Sequence, residues 1–163
     1  MAKNKEEKTN VMRVLEQKKI AYSAHTYPHE EGMAVDGVTV AQSMGFDPAI
    51  VFKTLVARGA SKQYYVFDVP VAENLDLKKA AKAVDEKSIE MLHQKELLPL
   101  TGYVHGGCSP VGMKKLFPTV FHSSAENLAA MIVSAGKIGY QVELAPHDLA
   151  ALVRAKFADI IVE

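Results

Sequence analysis

Two runs, "IVFKTLVAR" and "SKQYYVFDVPV", constrain the fold of this chain more than any other feature. Both are rich in β-branched and aromatic residues, and the short "GASK" between them suits a turn that returns the second run antiparallel to the first. A second pair repeats the signal: "AAMIVSAGKIGYQVELA" reads as two strands joined at "AGKIG". The fold is therefore expected to rest on hairpins.

Helical patterns are interleaved with them. "TNVMRVLEQKKI" reads as a helix capped by Asn10, with Val11, Val14 and Leu15 on one face. "TVAQSMG" carries Thr39 and Gln42 at capping-box spacing and closes at Gly45. "NLDLKKAAKAV" has Asp76 as cap and Leu77, Ala80, Ala81 and Val84 along one face. "PHDLAALVRA" is a helix with Pro146 in its first turn. Shorter signals predict strands at "AYSAHTY", "SIEML", "TVFHS" and the terminal "FADIIVE", and a helix at "HQKELLPL". There is no regular βαβ alternation. The pattern predicts an α/β (α+β) fold: a mixed, mostly antiparallel sheet or open barrel packed by helices.

At 163 residues the chain suits one domain, since a chain of this size buries about 70% of its unfolded surface. The expected division is a polar segment over 1–8 and one domain over 9–163. Nineteen Lys and Arg balance nineteen Asp and Glu, so any contact with a polyanion must come from a local patch, weakly bound and easily screened by salt. A single Cys excludes an internal disulfide framework and suits a reducing cytosol. The start, "MAKNKEEKTN", has no apolar signal core, and no run approaches membrane-spanning length. A cytoplasmic location is the expectation.

Four places could carry chemistry. Lys53 shares a strand face with Leu55 and Ala57, so its ammonium lies near or under the surface, unless its stem packs and its head reaches water. In "HTYPHEEG", His25 and His29 have an i, i+4 spacing, but Pro28 argues against the helix a metal pair would need. Tyr27 stands extended before that proline and either presents its hydroxyl to a ligand or packs at a sheet edge. In "HGGCSPVG", Gly106 and Gly107 permit positive φ or close backbone approach. The stretch matches neither the phosphate loop nor the nucleophile elbow, leaving an anion- or carbonyl-holding loop or a plain turn. Cys108 lacks an evident base: in an extended segment His105 would point to the opposite face. Finally, Lys78, Lys79, Lys82, Lys114 and Lys115 are clustered, and would suit a phosphate backbone if they bordered the same cleft as Lys53.

The segments "HTYPH", "FKTLVA", "NLDLKKAAKAV", "TGYVHGGCSPVGMKK" and "SAGKIGYQVELAPHDLAALVRAKFADI" together resemble, in order, the YbaK family. Its members are free-standing relatives of the editing domain of bacterial prolyl-tRNA synthetases, and the likeness runs from about residue 8 to the end. It implies a deacylase for Cys-tRNA(Pro), with Cys-tRNA(Cys) as a further substrate, in which the substrate's thiol attacks its own ester and leaves as a thiolactone. Prolyl-tRNA synthetase mischarges cysteine because the two amino acids are close in size. The resemblance implies catalytic roles for Lys53 and Gly106, and substrate contacts for Tyr27, Gly107, Ser134 and Gln141. Several relatives carry Asp where this chain has Gln141, so no negative charge meets the substrate ammonium there. No metal and no cofactor is implied. The implied partner is aminoacyl-tRNA, with prolyl-tRNA synthetase a candidate and neither DNA nor membrane expected. Two alternatives stay open: a deacylase for another small aminoacyl ester such as Ala-tRNA(Pro), and a non-catalytic module that binds tRNA or a synthetase.

Overall fold

The structure, a computed structural model, describes residues 8–30 and 32–163. The expected polar segment over 1–8 therefore falls outside the described residues except for Lys8, whose ammonium meets Glu16 at 2.9 Å. Among the described residues the strands form two sheets.

The first hairpin is present: β2 (Phe52–Gly59) pairs antiparallel with β3 (Tyr64–Pro70), placing Lys53 opposite Val69 and Thr54 opposite Asp68. It forms the centre of a five-stranded sheet. On one side β4 (Ile89–Met91) pairs with β2, but only along Ala57–Gly59. On the other side β5 (Thr119–His122) and β8 (Ala155–Ala158) continue the sheet in parallel. The second hairpin is β6 (Met131–Ser134) with β7 (Tyr140–Leu144), and β1 (Ser23–Thr26) adds to β7, making a three-stranded antiparallel sheet. A parallel bridge between Val51 and Ile132 links the two sheets. The result is the mixed, mostly antiparallel architecture expected from the pattern.

Apolar faces explain the packing. α1 (Asn10–Gln17) and α5 (Pro146–Val153) bury Val11, Leu15, Leu149 and Val153 with Phe52, Phe121 and Val142 between the sheets. α3 (Leu77–Ala83) lays Ala80 and Ala81 on Phe67, Val69 and Val120, the opposite face of the larger sheet. Its Asp76 cap is as expected, accepting from the Lys78 and Lys79 amides. α4 (Gln94–Thr101) precedes the glycine-rich loop.

Three local expectations are corrected. α1 is capped by Thr9, whose hydroxyl accepts from Met12 N at 3.2 Å, and Asn10 is the first helical residue. α2 (Gly37–Met44) begins two residues before Thr39, because Asp36 caps it by accepting from Thr39 N and Oγ1 at 3.1 and 2.6 Å. A carboxylate is the stronger acceptor for free amides at a helix start, so it sets the boundary. The terminal strand begins at Ala155 and ends at Ala158; beyond it only Ile161 pairs, in an isolated bridge to Leu75.

Candidate functional site

β4 stops short of Phe52–Leu55, and this leaves the start of β2 as an open edge. A cavity of about 290 Å³ occupies that edge, near the lower limit of small-ligand pockets. Its wall is completed by α2, by the chain just after β1, by the ends of β6 and β7, and by the glycine-rich loop. Tyr27, Lys53, Gly106, Ser134 and Gln141, distant in sequence, all line it. Register explains part of this: Gln141 pairs with Ser134 across β6–β7, so one cross-strand pair supplies two polar groups.

Lys53 is half-buried, and burial pulls its ammonium below the usual lysine pKa, against the opposing attraction of Glu73. Among the described residues no hydrogen bond holds that ammonium. Tyr27 is buried, its hydroxyl pushed up by that burial although Gln141 hydrogen-bonds it. Ser134 Oγ accepts from Gly136 N at 3.1 Å. Gln141 is buried too, and its Oε1 has no partner among the described residues. A buried acceptor without a donor favours a ligand that brings one.

The glycine-rich loop is held by backbone packing. Gly106 has φ +91°, and a Cβ there would stand 2.7 Å from Ala34 Cβ. Gly107 abuts the β6–β7 turn: a Cβ would stand 3.1 Å from Ile138 N. Its own N–H donates to Val104 O at 2.9 Å, so that donor is already used, and Gly107 is not among the wall residues. Gly106→Ala should therefore act on the loop itself. Left-handed strain of about 1–2 kcal/mol plus the Ala34 contact predicts a lower Tm together with reduced activity. Thermal melting beside a turnover assay checks this, and an unchanged Tm would remove the packing explanation.

The loop is not extended, so His105 and Cys108 both reach the cavity wall, contrary to the alternation expected of them. Cys108 is buried, and its thiol is pushed up to about 12 by burial and by the nearby Asp68. It is a protonated thiol at neutral pH, which argues against a nucleophile.

The other sequence candidates lie elsewhere. His25 Nε2 meets Glu143 Oε1 at 2.8 Å, and His29 Nδ1 lies 3.2 Å from Tyr27 O. Among the described residues no group of three or more His, Cys, Asp or Glu could hold a metal ion. The lysine clusters do not border the cavity. Lys79 instead ties down the chain end, donating to Asp159, Ile161 O and Glu163 at 3.0, 2.9 and 3.2 Å. Lys78 and Lys82 flank a separate groove, while Lys114 donates to Pro99 O at 3.2 Å.

Sequence reasoning missed Asp68. It is fully buried, accepts from Thr54 Oγ1 at 2.5 Å through Oδ1, and leaves Oδ2 without a partner among the described residues. Burial pushes its carboxyl from 3.8 up to about 7, against the Thr54 hydrogen bond. A visible signal was the single acid inside the apolar run "YYVFDVPV". Its titration has a stability consequence. Between the two values the unfolded chain gives up a proton that the folded chain keeps, so stability falls as pH rises and levels off above about 7. Asp68→Asn should remove this dependence and raise stability at mildly alkaline pH relative to wild type, by up to a few kcal/mol and with a correspondingly higher Tm, but not in acid. Parallel Tm–pH curves for the two proteins would overturn this assignment.

Residues 29–152 match the family described as the aminoacyl-tRNA editing domain. EbsC of Enterococcus faecalis, provisionally named a Cys-tRNA(Pro)/Cys-tRNA(Cys) deacylase, is 46% identical over 161 residues, covering 98% of each chain. Among solved structures, one from work on computational epitope grafting onto scaffold proteins superposes with a TM-score of 0.82 at 25% identity, covering 94% of this chain and 95% of its own. Another, provisionally described as a trans-editing enzyme for prolyl-tRNA synthetase, superposes at 0.79 with 24% identity and the same coverage. The family match spans most of the chain and the EbsC likeness nearly all of it. The chain therefore belongs to the aminoacyl-tRNA editing domain family, on its YbaK/EbsC branch of trans-editing deacylases.

Proposed function

We propose that this chain clears Cys-tRNA(Pro), and Cys-tRNA(Cys) with it, through attack of the substrate's own thiol on the ester carbonyl. The supporting observation is a small cavity that gathers Tyr27, Lys53, Gly106, Ser134 and Gln141 but holds no activated nucleophile: its one thiol stays protonated. Such a site acts by positioning and charge stabilisation, which suffices when the attacking atom arrives with the substrate. Lys53 takes the catalytic role at the tRNA 3′ end and the ester. The Gly106 N–H, unengaged by backbone partners among the described residues, faces the carbonyl oxygen. Tyr27, Ser134 and Gln141 hold the aminoacyl group, with Gln141 Oε1 accepting from its ammonium. Gly107 supports the turn beneath them. The likeness to EbsC across nearly the whole chain favours cysteine over alanine as the amino acid removed. Prolyl-tRNA synthetase, as the source of the mischarged tRNA, is the candidate protein partner.

Deacylation of Cys-tRNA(Pro) and Ala-tRNA(Pro) measured side by side tests this reading. Faster release of cysteine is expected. Preferential release of alanine would reassign the chain to a water-dependent deacylase, and no release from either would leave a binding module.

A further inference from the structure

A thiol, or a water, that attacks an ester must lose a proton, and none of the residues implied by the resemblance is a base suited to take it. Asp36 on the cavity wall is engaged as the α2 cap, and the hydrogen bonds it accepts from Thr39 hold its carboxyl below the usual value, which makes it a poor base. Asp68 is a buried carboxylate connected to the wall through Thr54. Thr54 lines the wall, and its hydroxyl donates inward to Asp68 Oδ1 at 2.5 Å. A hydroxyl whose proton points into the protein presents its lone pairs to the cavity, and so meets a ligand as an acceptor. The two residues are cross-strand partners on the central hairpin, so the sheet fixes the contact. Asp68 is wholly buried and Oδ2 is unpartnered among the described residues, so the carboxylate has no compensating donor other than Thr54. Its surroundings are the Cys108 thiol from the glycine-rich loop, Thr54 from β2, and apolar Phe121 opposite it on β5. No cation pairs with it among the described residues. The charged groups nearest to the reacting atoms are on the cavity wall: Lys53, with Asp36, His105 and Tyr27 as the other titratable ones.

We propose that Thr54 and Asp68 form the proton-accepting arm of this site, with Thr54 Oγ1 taking the proton of the attacking group as its own passes to Asp68 Oδ1. The proposal rests on the deacylase reading above. In the cysteine reaction the S–H bond breaks, and its proton moves to Thr54 while the Thr54 proton moves to Asp68. The sulfur forms a C–S bond to the carbonyl carbon, and the C–O bond to the ribose breaks. The departing ribose oxygen recovers a proton from Thr54, which is reprotonated by Asp68. One proton has moved from sulfur to oxygen, and Asp68 is ionised again. Burial supplies the matching basicity, since a carboxyl titrating at about 7 is half-ionised at neutral pH. Asp68 acts through Thr54 and is thus a positioning residue, with Thr54 the group that touches the reacting atom.

The test is release of labelled cysteine from Cys-tRNA(Pro) by wild type, Asp68→Asn, Thr54→Val, Thr54→Ser and the Asp68→Asn/Thr54→Val double variant, between about pH 5 and pH 8. Asn at 68 still accepts from Thr54 but takes no proton, which separates the relay from mere orientation. The wild-type rate should rise through about pH 7 and then level. Asp68→Asn and Thr54→Val should each lower kcat by about 100-fold or more with little change in KM, and flatten the acid limb. The double variant should be no worse than either single one, and Thr54→Ser should keep the limb. Wild-type kcat and pH profile in folded Asp68→Asn would overturn the relay, and so would the same result in Thr54→Val should Asp68→Asn fail to fold. Wild-type protein inert on both Cys-tRNA(Pro) and Ala-tRNA(Pro) would instead overturn the deacylase reading, and the relay with it.

Discussion

Lys53→Ala is expected to lower deacylation by about 10²–10³-fold while leaving the Tm within a few degrees of wild type. The asymmetry follows from how the lysine sits. Its ammonium is half-buried, depressed by desolvation, and makes no hydrogen bond among the described residues, so folding gains little from it. In the proposed mechanism a cation kept in such a place stabilises charge that appears only when substrate reacts. Lys53→Arg should not restore activity, because a planar guanidinium is a different shape in a cavity of about 290 Å³. Single-turnover release from Cys-tRNA(Pro), read beside thermal melts, separates the two effects. Wild-type turnover by a folded Lys53→Ala protein would remove Lys53 from the mechanism.

The second large effect is expected in the substrate. Exchanging the side-chain thiol for hydroxyl, as in Ser-tRNA(Pro), should slow release by roughly two orders of magnitude or more, since a hydroxyl is far less ionised near neutral pH. Cys108→Ser, by contrast, should retain most of its activity on Cys-tRNA(Pro). The enzyme's thiol is buried and held up near 12 by desolvation and by Asp68, so almost none is thiolate at neutral pH. Any loss reflects repacking beside Val56, Val66 and Phe117. Labelled amino-acid release from both substrates by both proteins is the measurement. A folded but dead Cys108→Ser protein would make the enzyme's cysteine the nucleophile.

Local order in the sequence carried far into the fold. The two hairpins, the Asp76 cap of α3 and Pro146 at the start of α5 depend on neighbouring residues, and local chemistry suffices to place them. Where two caps competed nearby, as with Asp36 and Thr39 or Thr9 and Asn10, spacing alone did not decide, because the outcome depends on which side chain reaches the free amides. The site divides the same way. Lys53 and Gly106 stood out as oddities of their segments, a charge in an apolar strand and a glycine beside a glycine, and the family resemblance gave them roles. Thr54 and Asp68 did not stand out as a pair, since they are fourteen positions apart and only the hairpin register puts them face to face.

What the sequence determined by itself was the set of elements, the family, and the residues whose type is costly where they stand. What only the tertiary structure decided was how those residues share space. The cavity exists because β4 covers part of β2 and leaves Phe52–Leu55 open, an outcome of strand lengths that meet across the sheet. The clustered lysines that a phosphate backbone would suit do not line it, and one of them, Lys79, ties down the chain end. Asp68 is buried by the same packing, and desolvation together with a single hydroxyl partner makes it a group that titrates near neutrality. Periodicity places a residue on a face; the charge it carries there depends on everything packed against that face, which the folded chain alone assembles.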